Sequence, residues 1–420
     1  MEEYRMKWIY AILFSSMAQG PISTILTLYL ISNPHISHGE IYISLMISGG
    51  TIASIISTYL FGKITDKISN KNYIIIFSYI GVSFTIFIFL FLINPLLIVL
   101  NYFLYSFFSS APSAPINIII METVEENLWK KAFSNLQFAA SFGSTLGFII
   151  SFSFTFKFYV MSLLYISFIL SIVSLILIIL LLPKPRRKID RREFLMNIYV
   201  YLSRAFSNPF IYVRLTNESF WKTIKNINFE KIKNDNITYL SIATFIFYIG
   251  SGLFNTMYPA AIRVKTDSDF MSFLILSVGM IIQTSTYLLI WKKTKFFAKS
   301  DNLIKSLFGR GLSYLAISFS FMFPISLFIG VNLIFYPIAA GLAFSIFYTV
   351  SNIIAFEIIG NNARGRKMGL YTAMIQIGVF VGSLLSGYIS ESYGYTLDFI
   401  FASFFVLISS IFFYRLRRFA

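Results

Sequence analysis

The most chemically loaded turn in the chain is Gly62-Lys63-Ile64-Thr65-Asp66-Lys67-Ile68-Ser69-Asn70-Lys71, one carboxylate among three lysines between two long apolar runs. A carboxylate there can accept hydrogen bonds from free backbone N–H groups at the start of another helix, where the macrodipole favours negative charge. That is latching chemistry. Glu122 and Glu357 end later apolar runs and read the same way, as gate or structural acids, while Glu40 stands at the opposite end of its run. Proton coupling needs a titrating group that faces both sides of a membrane in turn. No acid or base falls at the middle of an apolar run, so a coupling proton is left open. His35 and His38 lack a third ligand, so no metal site is expected. The chain has no cysteine, which excludes thiol catalysis and disulfides. Asp267-Ser268-Asp269 is the one acid pair a membrane glycosyltransferase could use, but its neighbouring loops are too short to hold a donor. No G-x-x-x-x-G-K-[ST] segment is present, no cofactor is implied, and an enzyme is not expected.

The other groups able to do chemistry are amides and tyrosines inside apolar runs. Ser15, Gln19, Ser23 and Thr27 recur every four residues, one stripe of a helix, beside a bend at Gly20-Pro21. Asn101 pairs with Tyr105 by the same spacing, Gln283 with Tyr287, Asn332 with Tyr336, and Asn255 with Tyr258 beside Pro259. Gln137 and Gln376 add two further amides. Such faces suit a neutral or weakly charged organic solute, because amides set orientation and rings supply contact area. The same groups can equally bond across helix interfaces, and both readings stand.

The elements that must position them are long. The 420 residues are 57% hydrophobic and only 12% charged, about half the charged fraction of a soluble protein. Mean hydropathy is +0.74. Apolar stretches long enough to cross a bilayer are expected at 8–31, 41–61, 73–93, 96–121, 132–155, 158–182, 239–262, 270–290, 303–323, 325–356, 368–390 and 395–414. The first lacks a cleavage pattern and is expected to stay as span 1. Arg310, inside span 9, is expected to snorkel to the interface. Of 34 Lys and Arg, 31 fall on the side of the N-terminus and 3 (Lys157, Arg263, Lys265) on the other. The positive-inside rule then places both termini in the cytoplasm of a multi-pass plasma-membrane protein. The net charge of +16 is thereby topological and not a nucleic-acid footprint.

Residues 183–238 form the one large break, so the expected units are 1–182, a cytoplasmic linker 183–238, and 239–420. Within the linker, 194–202 reads either as an amphipathic helix on the inner leaflet or as part of a solvated loop. The two halves repeat. A shift of 235 lays Asn117-Ile118-Ile119 on Asn352-Ile353-Ile354, Glu122 on Glu357, Lys131 on Arg366, Gly143 on Gly378, Gly147 on Gly382 and Asp66 on Asp301.

These features together resemble the major facilitator superfamily. Gly62, Asp66, Lys67 and Lys71 fit its motif A, G-x-x-x-D-x-x-x-x-[RK], with Ser69 where the family usually has glycine. Arg364-Gly365-Arg366-Lys367-Met368-Gly369, followed by Gly378-x-x-x-Gly382 and Gly387, looks like loop 10–11 and helix 11 of its drug and sugar efflux branches. The proline-bearing antiporter signature of helix 5 is absent, as is the helix 4 arginine of drug–proton antiporters. The resemblance implies an all-α membrane protein of twelve transmembrane helices in two pseudo-symmetric six-helix bundles. It implies that helices 3, 6, 9 and 12 are peripheral, and none of these four spans holds Asn or Gln, a lack that span 2 shares. It implies that Asp66 meets the start of helix 11 and locks the cytoplasmic side, with Asp301 acting likewise at helix 5. The function it implies is secondary transport of small organic solutes by alternating access, with efflux favoured and sugar or metabolite uptake by a facilitator or symporter as the alternative. A monomer in the lipid bilayer is expected.

Overall fold

The computed structural model of the chain describes residues 7–65, 71–124, 129–183, 236–292, 300–359 and 364–416. The linker from 184 to 235, with the 194–202 segment, lies outside them, as do Asp66 and Lys67. Helices account for nearly all of the described residues, and no strand occurs among them. The first half holds α1 (Ile9–Gln19 and Ile22–Ser32), α2 (Gly39–Thr65), α3 (Asn72–Phe89), α4 (Pro95–Ser110 and Ser113–Thr123), α5 (Trp129–Thr155) and α6 (Leu163–Leu181). The second holds α7 (Asn236–Thr266), α8 (Asp269–Lys292), α9 (Ser300–Ser320), α10 (Ile325–Tyr336, then Phe344–Ile359), α11 (Arg364–Tyr393) and α12 (Tyr395–Arg415).

Prolines set the interruptions, because each lacks an N–H to donate to the preceding turn. Pro21 divides α1 and Pro112 divides α4. In α10 the turn after Tyr336 widens into a π segment, Pro337–Ala343. Pro95 opens α4 at a position where no N–H is needed, and the Asn94 side chain caps it by accepting from the Leu96 N–H at 2.9 Å. Among the described residues, eleven helical spans are long and apolar enough to cross a membrane. The twelfth helix, α9, is long enough but carries Asp301, Lys305 and Arg310.

The repeat is built into the packing. The Ser174 hydroxyl of α6 donates to the Ala11 carbonyl of α1 at 2.6 Å, and the Ser409 hydroxyl of α12 donates to the Ala243 carbonyl of α7 at 3.0 Å. Ser174 and Ser409 are 235 positions apart; Ala11 and Ala243 are 232 apart. The glycine pairs obey the same two shifts. A Cβ at Gly143 or Gly147 of α5 would stand 2.4 Å from the carbonyl oxygen of Leu13 or Met17. A Cβ at Gly378 or Gly382 of α11 would stand 2.7 or 2.3 Å from that of Phe245 or Ile249. Small residues four apart let two helix backbones touch, here α1 with α5 and α7 with α11.

Candidate functional site

A pocket of about 450 Å³ opens at mid-depth in the first half. Its wall comes from Ser15, Ser16, Gln19 and Gly20 where α1 bends, Ser54 of α2, and Ser144 of α5. α4 adds Tyr102, Tyr105, Ser106, Ser109 and Pro112, and α3 adds Tyr79 and Val82. No wall residue is charged. Gln19 Nε2 donates to Ser15 Oγ at 2.5 Å, and the Tyr105 hydroxyl lies 3.5 Å from the Gln19 carbonyl oxygen. The rings of Tyr102 and Tyr105 are 5.5 Å apart, tilted. The bend at Pro21 matters here: it interrupts α1 beside the pocket, where Gly20 lies against Ser144. α3, expected to be peripheral, reaches the pocket through Tyr79 and Val82.

Of the sequence-derived candidates, Gln19 and Tyr105 line this pocket, and Ser23 is half-buried one turn further along α1. Asn101 does not join them. It is buried against α3, donating to the Thr85 carbonyl at 2.9 Å where α3 packs closely on α4. In the second half, Tyr258 donates to Asn332 Oδ1 at 2.8 Å, and Asn332 Nδ2 donates to the Phe328 carbonyl and to Ser320 Oγ. Tyr336 stacks on Tyr258 with centroids 4.5 Å apart. These three belong to a packed core, where a tyrosine and an amide satisfy each other more completely than a solute could. Asn255 is exposed within an otherwise buried stretch of α7, and Gln283, Tyr287 and Gln376 are half-buried. Gln137 is exposed on α5.

Arg310 departs furthest from expectation. It is only 2% exposed and does not snorkel. Its Nε donates to the Tyr314 hydroxyl at 2.7 Å and its Nη1 to the Ala339 carbonyl at 3.3 Å. Ala339 lies in the π segment of α10, a distortion that frees backbone acceptors and often marks function. The rings of Phe247, Tyr314 and Phe344 surround the guanidinium at 4.9–5.3 Å, and no carboxylate among the described residues pairs with it. Desolvated cation–π contacts of this kind are worth about 2 kcal/mol.

On the termini side, Lys71, the motif A cation, stands at the residue before α3 without a side-chain cap bond and pairs with Glu122 of α4 at 2.5 Å, both nearly buried. Gly62 lies in the last turns of α2 with open space at its Cβ position. Asp301 is half-buried in the first turn of α9. The backbone places Glu357 in α10, and Arg364 and Arg366 at the start of α11; their side chains lie outside the described set.

The opposite side is closed between the halves. The His38 ring, largely exposed, hydrogen-bonds Glu391 of α11. The Tyr395 hydroxyl of α12 donates to Glu40 of α2 at 2.8 Å, and the Ser44 hydroxyl to the Leu384 carbonyl at 3.0 Å. Gly387 lets α11 lie on α2: a Cβ there would be 2.3 Å from Ser44 Cβ. Between α5 and α8, Thr145 and Thr284 share a 2.9 Å hydrogen bond, and Phe152 meets Phe270 at 4.8 Å. Arg263 pairs with both Asp267 and Asp269, which gives the acid pair a structural partner. Asp398, which sequence reading passed over, is fully buried in the first turn of α12, accepting from Ser386 at 2.7 Å and Ser390 at 2.9 Å. Its signal was the serine pair four apart on the preceding helix.

Two repeated six-helix halves, latched together on one side over polar groups at mid-depth, define a polytopic membrane protein with an internal solute-sized pocket. The Major Facilitator Superfamily model matches residues 9–291 and 240–420, and the chain belongs to that superfamily of transporters. Among solved structures, the nucleoside transporter NupG is 15% identical with a TM-score of 0.71, covering 99% of this chain and 100% of its own. The D-xylose-proton symporter is 12% identical with a TM-score of 0.72, covering 99% and 97%. The inward open xylose transporter XylE from E. coli is 13% identical with a TM-score of 0.71, covering 99% and 96%. No curated protein sequence matches the chain.

Proposed function

We propose that the protein is a secondary transporter that carries a small organic solute across a cell membrane by alternating access and catalyses no reaction. The observation that carries this is the latch between α2 and α11 on one side, with an open pocket at mid-depth beneath it. The charge asymmetry supports assigning the termini side to the cytoplasm, which makes the latched side the outer one. Residues 1–182 and 239–420 are the two units that rock, and 183–238 is the cytoplasmic linker between them.

Loop 10–11 and the glycines of α11 support efflux. The uncharged, hydroxyl-rich pocket supports the second reading, a facilitator or symporter for a sugar or metabolite, and the nucleoside and xylose transporters that share the fold are consistent with it. The xylose neighbour is a proton symporter, which keeps a coupling proton within the proposal.

Asn255→Cys, in a chain with no other thiol, tests the state assignment. A membrane-impermeant maleimide should label it faster from the cytoplasmic face than from the outer face. Equal labelling from both faces, or labelling from the outside alone, would remove the assignment.

A further inference from the structure

The two shifts that relate the halves also relate the pocket to the buried arginine. Ser15 of α1 corresponds to Phe247 of α7, Tyr79 of α3 to Tyr314 of α9, and Ser109 of α4 to Phe344 of α10. The first member of each pair lines the pocket. The second members are the three rings around Arg310. Pro112, at the pocket's edge, corresponds to Phe347, which stacks on Phe247 at 3.6 Å. The second half therefore fills with phenylalanine rings and a guanidinium the volume that the first half leaves open to a solute. The plug is fixed, since Arg310 donates to both Tyr314 and the π-segment carbonyl.

We propose that solute recognition is carried by the first half alone, and that the solute is neutral and rich in hydroxyl groups. The pocket's six serines, Ser15, Ser16, Ser54, Ser106, Ser109 and Ser144, each supply a group that both donates and accepts. A solute hydroxyl does the same, so such solutes complement the wall. An ion would lose its water with no opposite charge in the wall to replace it. Ser15 accepts from Gln19, Ser54 accepts from Ser110 and Ser109 donates to the Ser106 carbonyl, so a purely apolar solute would leave only their remaining donor and acceptor sites unused, whereas a hydroxylated one fills them. The rings of Tyr102 and Tyr105 supply a face for a sugar or base ring.

This inference rests on the transporter reading, and counterflow in proteoliposomes separates the two. The probes are a labelled pentose, hexose and ribonucleoside, set against leucine, benzoate and tetraphenylphosphonium. Counterflow is expected with at least one neutral hydroxylated probe and with none of the other three. For that probe, Ser109→Ala and Ser144→Ala should each raise the half-saturating concentration by about two- to tenfold, the scale of one hydrogen bond. Val379→Ala, at the position corresponding to Ser144, should leave it unchanged. Ser109→Thr keeps the hydroxyl and should restore affinity, which separates lost recognition from lost folding. Counterflow of leucine, benzoate or the phosphonium ion would overturn the solute class and leave the transporter reading intact. An equal effect of Val379→Ala would overturn the one-sided site. Counterflow of no probe at all, with the Asn255→Cys labelling asymmetry preserved, would also reject the class without touching the transport reading.

Discussion

A buried charge is held by whatever surrounds it, and three residues show three solutions. Arg310 has rings and two acceptors, Asp398 has two serines, and Lys71 has Glu122. Only the last was partly legible in the sequence, because motif A marks Lys71 and the repeat marks Glu122. Arg310 stands about two turns inside its expected span, where snorkelling and burial give the same spacing. What decides is the ring set from α7 and α10, and sequence distance does not show it. Asp398 was hidden because an acid near a helix start reads as an ordinary first-turn acid. The Lys71–Glu122 pair makes a direct prediction. Glu122→Gln leaves a nearly buried ammonium unpaired, at a cost of about 3–5 kcal/mol. The double variant Lys71→Met/Glu122→Leu removes both charges and should regain most of that loss. Thermal unfolding in detergent checks this; a double variant no more stable than the single one would mean the pair is not the source of the effect.

At the scale of the helix, glycine does two different jobs that sequence alone shows as one. Gly147 and Gly382 sit where a Cβ would press on a backbone carbonyl of the neighbouring helix. Gly330, in α10, has open space at the same position. Overpacking typically costs about 1–3 kcal/mol, and carbonyl oxygens in a helix have little freedom to yield. Gly147→Ala and Gly382→Ala should therefore lower the melting temperature and separate α1 from α5 or α7 from α11. Gly330→Ala should be neutral or slightly stabilising, by up to about 1 kcal/mol of helix propensity. If all three behave alike, close helix approach is not what the glycines provide. The glycine pairs were legible through the repeat. The amide-and-tyrosine faces were less so, since i,i+4 spacing identifies a face without saying whether it meets a cavity or another helix. Asn332 and Tyr258 found each other; Gln19 and Tyr105 were left facing space because α1 and α4 are both divided by proline nearby.

For the molecule as a whole, the sequence carried the two halves, since charge sidedness and a 235-residue repeat are global patterns. It could not carry the state. Two arrangements of the same halves differ by a few kcal/mol at most, and that difference is a sum over contacts as local as Ser44 on Leu384. Gly387 is the point where the latch has least room: a Cβ would lie 2.3 Å from Ser44 Cβ and 2.7 Å from the Glu40 carbonyl oxygen. Gly387→Ile places a branched side chain there. At about 1–3 kcal/mol of overpacking, the latched state loses roughly 5- to 150-fold against the state open on that side. The helix itself tolerates isoleucine, so folding should survive and the equilibrium should move. In a chain also carrying Asn255→Cys, maleimide labelling from the latched face should rise and labelling from the termini face should fall, while solute exchange slows because one state is now underpopulated. Ser44→Ala, which removes the 3.0 Å hydrogen bond to Leu384 but adds no bulk, should move labelling in the same direction by less than tenfold. Labelling unchanged by both substitutions would show that α2 and α11 do not form the latch, and that the closure depends on α5 and α8 instead.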